Sequence, residues 1–141
     1  MSRTPAGPFL DHIDLRVRSL ESAVPFYDAF MGALGMHGLT DAWTDWVGYA
    51  FEDVGDGDPL PIPFFGLTLS PEHRPGETRL AFAATSQAEV ERIAEAVRQA
   101  GAQAFEAPQF CTEYDPRYYA AFFEDPDGNR FEICCRSATP A

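Results

Sequence analysis

Residues 12–17 (HIDLRV) and residues 79–84 (RLAFAA) are the two stretches that determine the fold of this 141-residue chain. Each has the alternation typical of a β-strand, and each is followed by a serine, a helical segment and a glycine. The serines are 67 residues apart and the glycines 66 apart: Ser19 with Ser86, and Gly35 with Gly101. The chain therefore contains an internal duplication.

Each half contains a predicted amphipathic helix that ends at its glycine. The second helix begins with a capping box formed by Ser86 and Glu89. In the first helix, Pro25 fits within the first turn, where backbone N–H groups have no helical partner, if Ser22 is the N-cap residue. Apolar positions recur at helical spacing, at Ala23, Tyr27, Phe30 and Leu34 in the first helix and at Val90, Ile93, Ala94 and Val97 in the second.

Strands account for the rest of each half. They are predicted at residues 10–18, about 36–40, about 43–51, 62–70, 78–84, about 102–107, about 117–124 and 130–136. Residues 52–61 read as a polar loop and residues 70–77 as a linker. The order is thus strand, helix and three strands, twice. This predicts an α+β fold of two βαβββ modules, about residues 9–70 and 78–136, in one domain.

The polar faces of these strands predict a binding groove. Alternation places His12, Asp14 and Arg16 on one face of the first strand, opposite its apolar face. The apolar faces belong under the helices. If the two sheets curve around each other, the polar faces line a shared concave groove, which is the usual place for a ligand.

Composition excludes several classes of function. The chain has 22 acidic residues and 10 basic ones, a net charge of −12, so it repels nucleic-acid phosphates and anionic membranes. That charge favours a cationic ligand or simply serves solubility. Three cysteines make a disulfide framework improbable, and no apolar run is long enough to span a membrane. We therefore expect a cytoplasmic protein that binds neither nucleic acid nor membrane.

The strongest motif is the turn Asp125-Pro126-Asp127-Gly128-Asn129, which is followed by Glu132 in the last strand. Together with His12-Ile-Asp-Leu-Arg-Val, Phe26-Tyr27, Leu34-Gly35 and Arg79-Leu-Ala-Phe, it resembles the glyoxalase / bleomycin-resistance / extradiol-dioxygenase superfamily, also called the vicinal oxygen chelate superfamily. The resemblance covers about residues 9–136. It implies that the two modules form a cup and that the protein pairs as a homodimer.

The resemblance also implies where a divalent metal (Ni, Zn, Mn or Fe) would bind. His12 matches the first ligand position of the metal-dependent members, and Glu132 matches the last. Arg79 stands where a second histidine is expected, and the fourth position falls on about Gly66. Arginine stays protonated and repels a cation, so we expect no metal here and instead an ion pair between Arg79 and Glu132.

Three functions remain open. The first is binding of a small molecule without a metal, supported by aromatic residues of the first module (Trp43, Trp46, Tyr49, Phe51, Phe64). The second is an enzyme, either a metal-dependent glyoxalase-like lyase or dioxygenase, or a metal-free catalyst using His12, Glu132 and Arg79. The third is a purely structural, dimerising role. The predicted ligand contacts are Asp14, Arg16, Trp46, Phe64, Tyr114 and Tyr118. The segment 109–117 is a candidate lid. Cys134 is either a reactive thiol of the groove or, as we expect, an inert buried side chain.

Overall fold

Two β-sheets of identical topology are the main feature of the fold. The structure, a computed structural model, describes residues 9–39, 45–53 and 58–139. The described elements are, in chain order, β1 (His12–Val17), α1 (Leu20–Ala33), β2 (His37–Gly38), β3 (Trp46–Ala50), β4 (Phe64–Leu69), β5 (Arg79–Ala83), α2 (Gln87–Gln99), β6 (Gln103–Phe110), β7 (Tyr119–Glu124) and β8 (Arg130–Cys135). The strand order is β1-β4-β3-β2 in the first sheet and β5-β8-β7-β6 in the second. The predicted α+β fold of two βαβββ modules is confirmed.

Pairing within the sheets repeats the duplication seen in the sequence. β1 is parallel to β4, and β5 is parallel to β8. The remaining neighbours in both sheets are antiparallel. Each module thus forms its own four-stranded sheet, in which the first strand lies at one edge and the last strand lies next to it.

The helices begin and end at the residues that the duplication singles out. The Ser19 hydroxyl accepts a hydrogen bond from the Ser22 N–H (3.2 Å), and the Ser86 hydroxyl accepts one from the Glu89 N–H (3.1 Å). Both helices are followed by a glycine with positive φ, +96° at Gly35 and +98° at Gly101. Glycine adopts this conformation without steric cost, so the same stop is used twice.

Two details of the predicted helices are wrong. The N-cap of α1 is Ser19 rather than Ser22, so Pro25 lies inside the helix beyond its first turn. In the predicted capping box, the Glu89 carboxylate accepts a hydrogen bond from the Thr85 hydroxyl (2.8 Å) instead of returning to Ser86. Ser19 is preferred because it sits where the extended backbone of β1 ends, which lets the helix start three residues earlier.

Buried aromatic rings from both modules form one core. The Phe30 ring of α1 packs 5.3 Å from Phe82 of β5 and 5.1 Å from Phe123 of β7, measured between ring centroids. Phe65 of β4 lies 6.0 Å from Phe82 and 6.5 Å from Phe131 of β8. The apolar faces of the two sheets therefore share this core, and their polar faces are the ones turned away from it.

Most predicted strands lie where alternation placed them. β6 extends to Phe110, three residues beyond its expected end, and β2 is limited to His37–Gly38. Residues 40–44 lie outside the described residues, and so does Trp43, one of the aromatic residues predicted to support ligand binding. The prediction for residues 70–77 is confirmed, because they form the link between the two modules.

Candidate functional site

A pocket lies on the outer face of the first sheet. The register pairs His12 with Phe64, Asp14 with Gly66 and Arg16 with Thr68 across β1 and β4, so alternation brings their side chains to one face. The cavity has a volume of about 360 Å³ and is lined by His12, Asp14, Trp46, Asp58, Leu60, Phe64 and Thr68. Four of the predicted site residues thus meet in one place: His12, Asp14, Trp46 and Phe64.

Aromatic rings form one wall of this pocket. The His12 imidazole stacks on the Phe64 ring, with centroids 4.5 Å apart and planes 3° from parallel. Trp46 meets Phe64 nearly edge-on, at 6.1 Å and 74°. The Asp11 carboxylate holds the His12 ring at Nδ1 (2.7 Å). This contact and the stacking on Phe64 both orient the imidazole.

The Trp46 indole lies across two glycines of the sheet. A Cβ atom added at Gly66 would fall 2.7 Å from the indole Nε1, and one added at Gly48 would clash even more closely with the six-membered ring. Separations below 3.0 Å are essentially never seen for real Cβ atoms. The indole can therefore occupy this part of the sheet only because both positions lack a side chain.

Asp14 is anchored on two sides. The Thr68 hydroxyl donates a hydrogen bond to its Oδ1 (2.6 Å), and the Arg16 guanidinium lies 3.4 Å from its Oδ2. The Asp14 side chain nevertheless remains 37% exposed, so its carboxylate still faces the cavity. Asp14 and Arg16, two of the predicted ligand contacts, therefore also contact each other.

The second sheet carries a different group of residues. Glu132 is only 7% exposed, and its carboxylate accepts a short hydrogen bond from the Tyr118 hydroxyl. Burial, together with hydrogen bonding to Cys134 and Glu132, raises the pKa of Tyr118 above its ordinary value. Burial likewise raises the pKa of the Cys134 thiol. Tyr118 is thus held as the proton donor of this pair at neutral pH.

The predicted ion pair between Arg79 and Glu132 is wrong. The Arg79 guanidinium lies over the Phe122 ring, 4.8 Å from its centroid, and Arg136 lies over the Tyr118 ring at the same distance. An exposed strand position lets Arg79 cover an aromatic face while its charge stays hydrated, whereas pairing with the buried Glu132 would require desolvating a guanidinium.

The predicted site residues therefore fall into two groups. His12, Asp14, Arg16, Trp46 and Phe64 belong to the first module, whereas Arg79, Tyr118 and Glu132 belong to the second. Tyr114 is 61% exposed and touches Tyr118 edge-on, 5.2 Å between centroids. Within the described parts of one chain, His12 and Glu132 share no hydrogen bond, ion pair or cluster.

Sequence reasoning missed four contributors to the pocket. Thr68 lies opposite Arg16 in the register of β1 and β4, but the alternation of its strand does not indicate that it donates to Asp14. Asp58 and Leu60 come from a loop, where no periodicity indicates direction. Asp11 precedes β1 and orients His12. Only its adjacency to a candidate histidine could have indicated that role.

The residues present do not fit the metal site of the metal-dependent relatives. Among the described residues, no three His, Cys, Asp or Glu side chains are placed to hold a metal ion together. Trp46 covers Gly66, the fourth expected ligand position, and the third is Arg79. A second chain that brought its own Glu132 opposite His12 would still supply only two protein ligands, fewer than such sites use.

The cysteines behave as small buried side chains. Cys111, Cys134 and Cys135 are all free and buried. Burial is the leading cause that raises the pKa of Cys111, as it is for Cys134, so neither thiol is activated as a thiolate. The predicted turn at residues 125–129 is confirmed as structural, since Asp125 accepts backbone N–H bonds from Asp127, Gly128 and Asn129.

The fold and the sequence together define the class of protein. The sequence profile of the Glyoxalase/Bleomycin resistance protein/Dioxygenase superfamily matches residues 9–133. The chain belongs to this superfamily, as its motifs predicted. No match was found among curated proteins. Within the described residues, no helix has the length and apolar character needed to cross a membrane.

Solved structures agree with this assignment. The chain is similar to a glyoxalase/bleomycin resistance protein from Albidiferax ferrireducens, with 27% identity, a TM-score of 0.72, and coverage of 92% of this chain and 99% of that one. A glyoxalase-related enzyme from Fulvimarina pelagi (20%, 0.66, 89% and 86%) shares the fold. So does the fosfomycin resistance protein FosX from Mesorhizobium loti (17%, 0.62, 94% and 93%).

Proposed function

We propose that this chain binds a small organic molecule in the pocket of the first sheet and does so without a catalytic metal. The observation that carries the proposal is the Trp46 indole lying over Gly66. A side chain that could ligate a metal at position 66 is replaced there by an aromatic surface. The same position that would serve chelation in a relative serves contact with an organic ligand in this chain.

The geometry of the pocket supports binding. His12 is oriented by Asp11, Asp14 by Thr68 and Arg16, and Trp46 by the sheet beneath it. Side chains that are fixed in advance lose little conformational entropy when a ligand binds. A volume of about 360 Å³ suits a small ligand.

A second copy of the chain would complete the site. Asp14 and Asp58 make the pocket face of the first sheet acidic. On the second sheet, Arg79 and Arg136 lie over aromatic rings and form no ion pair with a carboxylate of the described residues. These complementary charges favour a homodimer in which the second sheet of one copy faces the first sheet of the other.

An acid–base enzyme is the second candidate, and the Glu132–Tyr118 pair favours it. Glu132 is a buried carboxylate whose hydrogen-bond partner is a phenol rather than a cation. Such a carboxylate could take a proton from a substrate, with Arg79 of the same sheet attracting a negatively charged oxygen. Loss of turnover in Glu132→Gln with ligand affinity retained would favour this candidate over simple binding.

The test of metal-free binding is the metal content of the purified protein after incubation with Ni²⁺, Zn²⁺, Mn²⁺ and Fe²⁺ followed by desalting. We expect no tightly retained ion in the natural chain or in Arg79→His, because Trp46 still covers position 66. The triple variant Trp46→Ala, Gly66→Glu, Arg79→His is expected to retain an ion. A stoichiometric ion in the natural chain would contradict the proposal.

The homodimer is tested separately by sedimentation velocity. The natural chain is expected to sediment as a dimer that weakens in Arg79→Glu, because this change places a carboxylate against an acidic face. Arg92→Glu at an exposed position of α2 changes the net charge by the same amount and serves as the control. A natural chain that stays monomeric at high concentration would refute this arrangement.

A further inference from the structure

We propose that the pocket of the first sheet selects a flat organic cation, such as a heteroaromatic or aryl ammonium compound. This inference rests on the proposed function, since it names the ligand class of the same pocket. It follows from two independent properties of the pocket, the orientation of its rings and the sign of its charge.

The rings provide a flat contact surface for the ligand. The indole of Trp46 spreads over Gly48 and Gly66, and the His12–Phe64 stack stands beside it with the two rings parallel. The 74° angle between Trp46 and Phe64 makes an L-shaped corner. A planar molecule that slides into this corner contacts one ring with its face and the other with its edge, which are the favoured aromatic geometries.

The charge of the pocket favours a cation. Asp14 and Asp58 line the cavity, and Asp11 lies directly behind His12. Within one chain, Arg16 lies beside this group and is already engaged with Asp14. A cation therefore meets more carboxylates than guanidinium groups in one chain, as well as the negative faces of the rings, and both attract it. In the proposed homodimer the cation competes for these carboxylates with the arginines of the second copy, which lie over aromatic rings of their own. An anion of the same shape meets repulsion from the same groups.

The closing experiment compares four probes of defined shape and charge. They are N-methylquinolinium (flat cation), quinoline (flat and neutral at neutral pH), quinoline-2-carboxylate (flat anion) and choline (a cation that is not flat). Binding is followed by Trp46 fluorescence in a Trp43→Phe background, which leaves one tryptophan of the two in the chain. We expect N-methylquinolinium to bind at least about tenfold more tightly than each of the others, a difference worth about 1.4 kcal/mol.

Substitutions then locate the effect. Asp14→Asn and Asp58→Asn are each expected to weaken N-methylquinolinium about fivefold and to leave quinoline unchanged, since each removes one attracting charge. Asp53→Asn is the matched control. Its side chain is 95% exposed and pairs with His37 outside the pocket, so it changes the net charge equally but is expected to have no effect on either probe.

The outcomes separate this inference from the proposed function. Equal binding of quinoline and N-methylquinolinium, or tighter binding of the carboxylate, overturns the preference for a cation and leaves the pocket as a binding site. Equal binding of choline overturns the preference for a flat ligand. If no probe of any charge binds, by Trp46 fluorescence or by calorimetric titration, both the inference and the proposed binding site are refuted.

Discussion

The carboxylate of Asp125 connects the two modules at a single residue. It is 1% exposed and accepts hydrogen bonds from the Tyr27 hydroxyl (2.5 Å), the Asn129 amide (2.8 Å) and three backbone N–H groups of its own turn. Tyr27 belongs to α1 in the first module, 98 residues away in sequence. A buried charge of this kind is tolerated because every oxygen has several donors.

Removing the Tyr27 hydroxyl is expected to destabilise the protein. Tyr27→Phe takes one donor from a buried carboxylate and should lower the free energy of unfolding by about 1.5–3 kcal/mol. Tyr49→Phe is the matched control, because its hydroxyl donates to the less buried Asp28 and its loss should cost about 1 kcal/mol or less. Urea denaturation of both variants measures the difference. A larger loss for Tyr49→Phe would contradict this assignment.

The sequence predicts the turn at residues 125–129, but it does not predict that Tyr27 of α1 donates a hydrogen bond to it. Asp-Pro-Asp-Gly-Asn is a sequence whose residue types favour a turn by themselves. Which hydroxyl reaches Asp125 depends on how α1 packs against the second sheet, and no local pattern contains that information.

Among the elements, the two helices are alike at both ends and differ in one interior residue. Both start at a serine and end at a glycine, at the spacing visible in the sequence. They differ at Pro25, which lies on the exposed side of α1 beyond the first turn and cannot donate to the carbonyl of Glu21. Helix ends were therefore predictable within a few residues, whereas the choice between Ser19 and Ser22 as cap was not.

Replacing Pro25 by alanine is expected to stabilise the protein. The change restores a helical N–H donor at an exposed position, and it should raise the free energy of unfolding by about 2 kcal/mol after the entropy gained by the unfolded chain is subtracted. Pro71→Ala is the control, since Pro71 lies in the exposed turn between the modules, where proline favours the observed backbone. Differential scanning calorimetry compares them. A loss of stability in Pro25→Ala would show that the proline ring stabilises the helix by packing.

For the molecule as a whole, buried tyrosines are expected to make the free energy of unfolding fall at alkaline pH. Burial is the leading cause that raises the pKa of Tyr27, Tyr49, Tyr118 and Tyr119 in the folded state. In the unfolded chain these phenols ionise near pH 10. Their contribution to stability is therefore fully present below about pH 10 and is lost as the pH rises above it. The chain contains no lysine, so lysine titration does not mask this effect.

We expect the free energy of unfolding to fall steadily between pH 10 and pH 11.5, with tyrosinate absorbance appearing together with unfolding. Denaturant midpoints measured across this range test the expectation. The fall should be shallower in Tyr118→Phe, which removes one of the four groups, than in Glu95→Gln, an exposed control. A stability that stays constant up to pH 11.5 would contradict the role assigned to these phenols.

At this largest scale, the sequence predicted the faces of the sheets but not their assembly. Alternation places His12 and Asp14 on one face of their strand, and the parallel register of β1 with β4 brings Phe64 beside them. The separation of Glu132 and Arg79 on another sheet follows from the packing of both modules around Phe30 and its neighbours. The position of the Trp46 ring could not be predicted from the sequence either, since it depends on the absence of side chains at Gly48 of β3 and Gly66 of β4.

Trp46 and the two glycines beneath it also constrain how this chain can evolve. A carboxylate introduced at position 66 collides with the indole, and an indole reduced to a small side chain leaves the sheet uncovered above Gly48 and Gly66. We therefore expect each of these changes to be unfavourable alone and the two together to be tolerated. This dependence of one substitution on another is sign epistasis. Because of it, Trp46 and Gly66 are expected to persist together in descendants of this chain, whatever ligand the pocket binds.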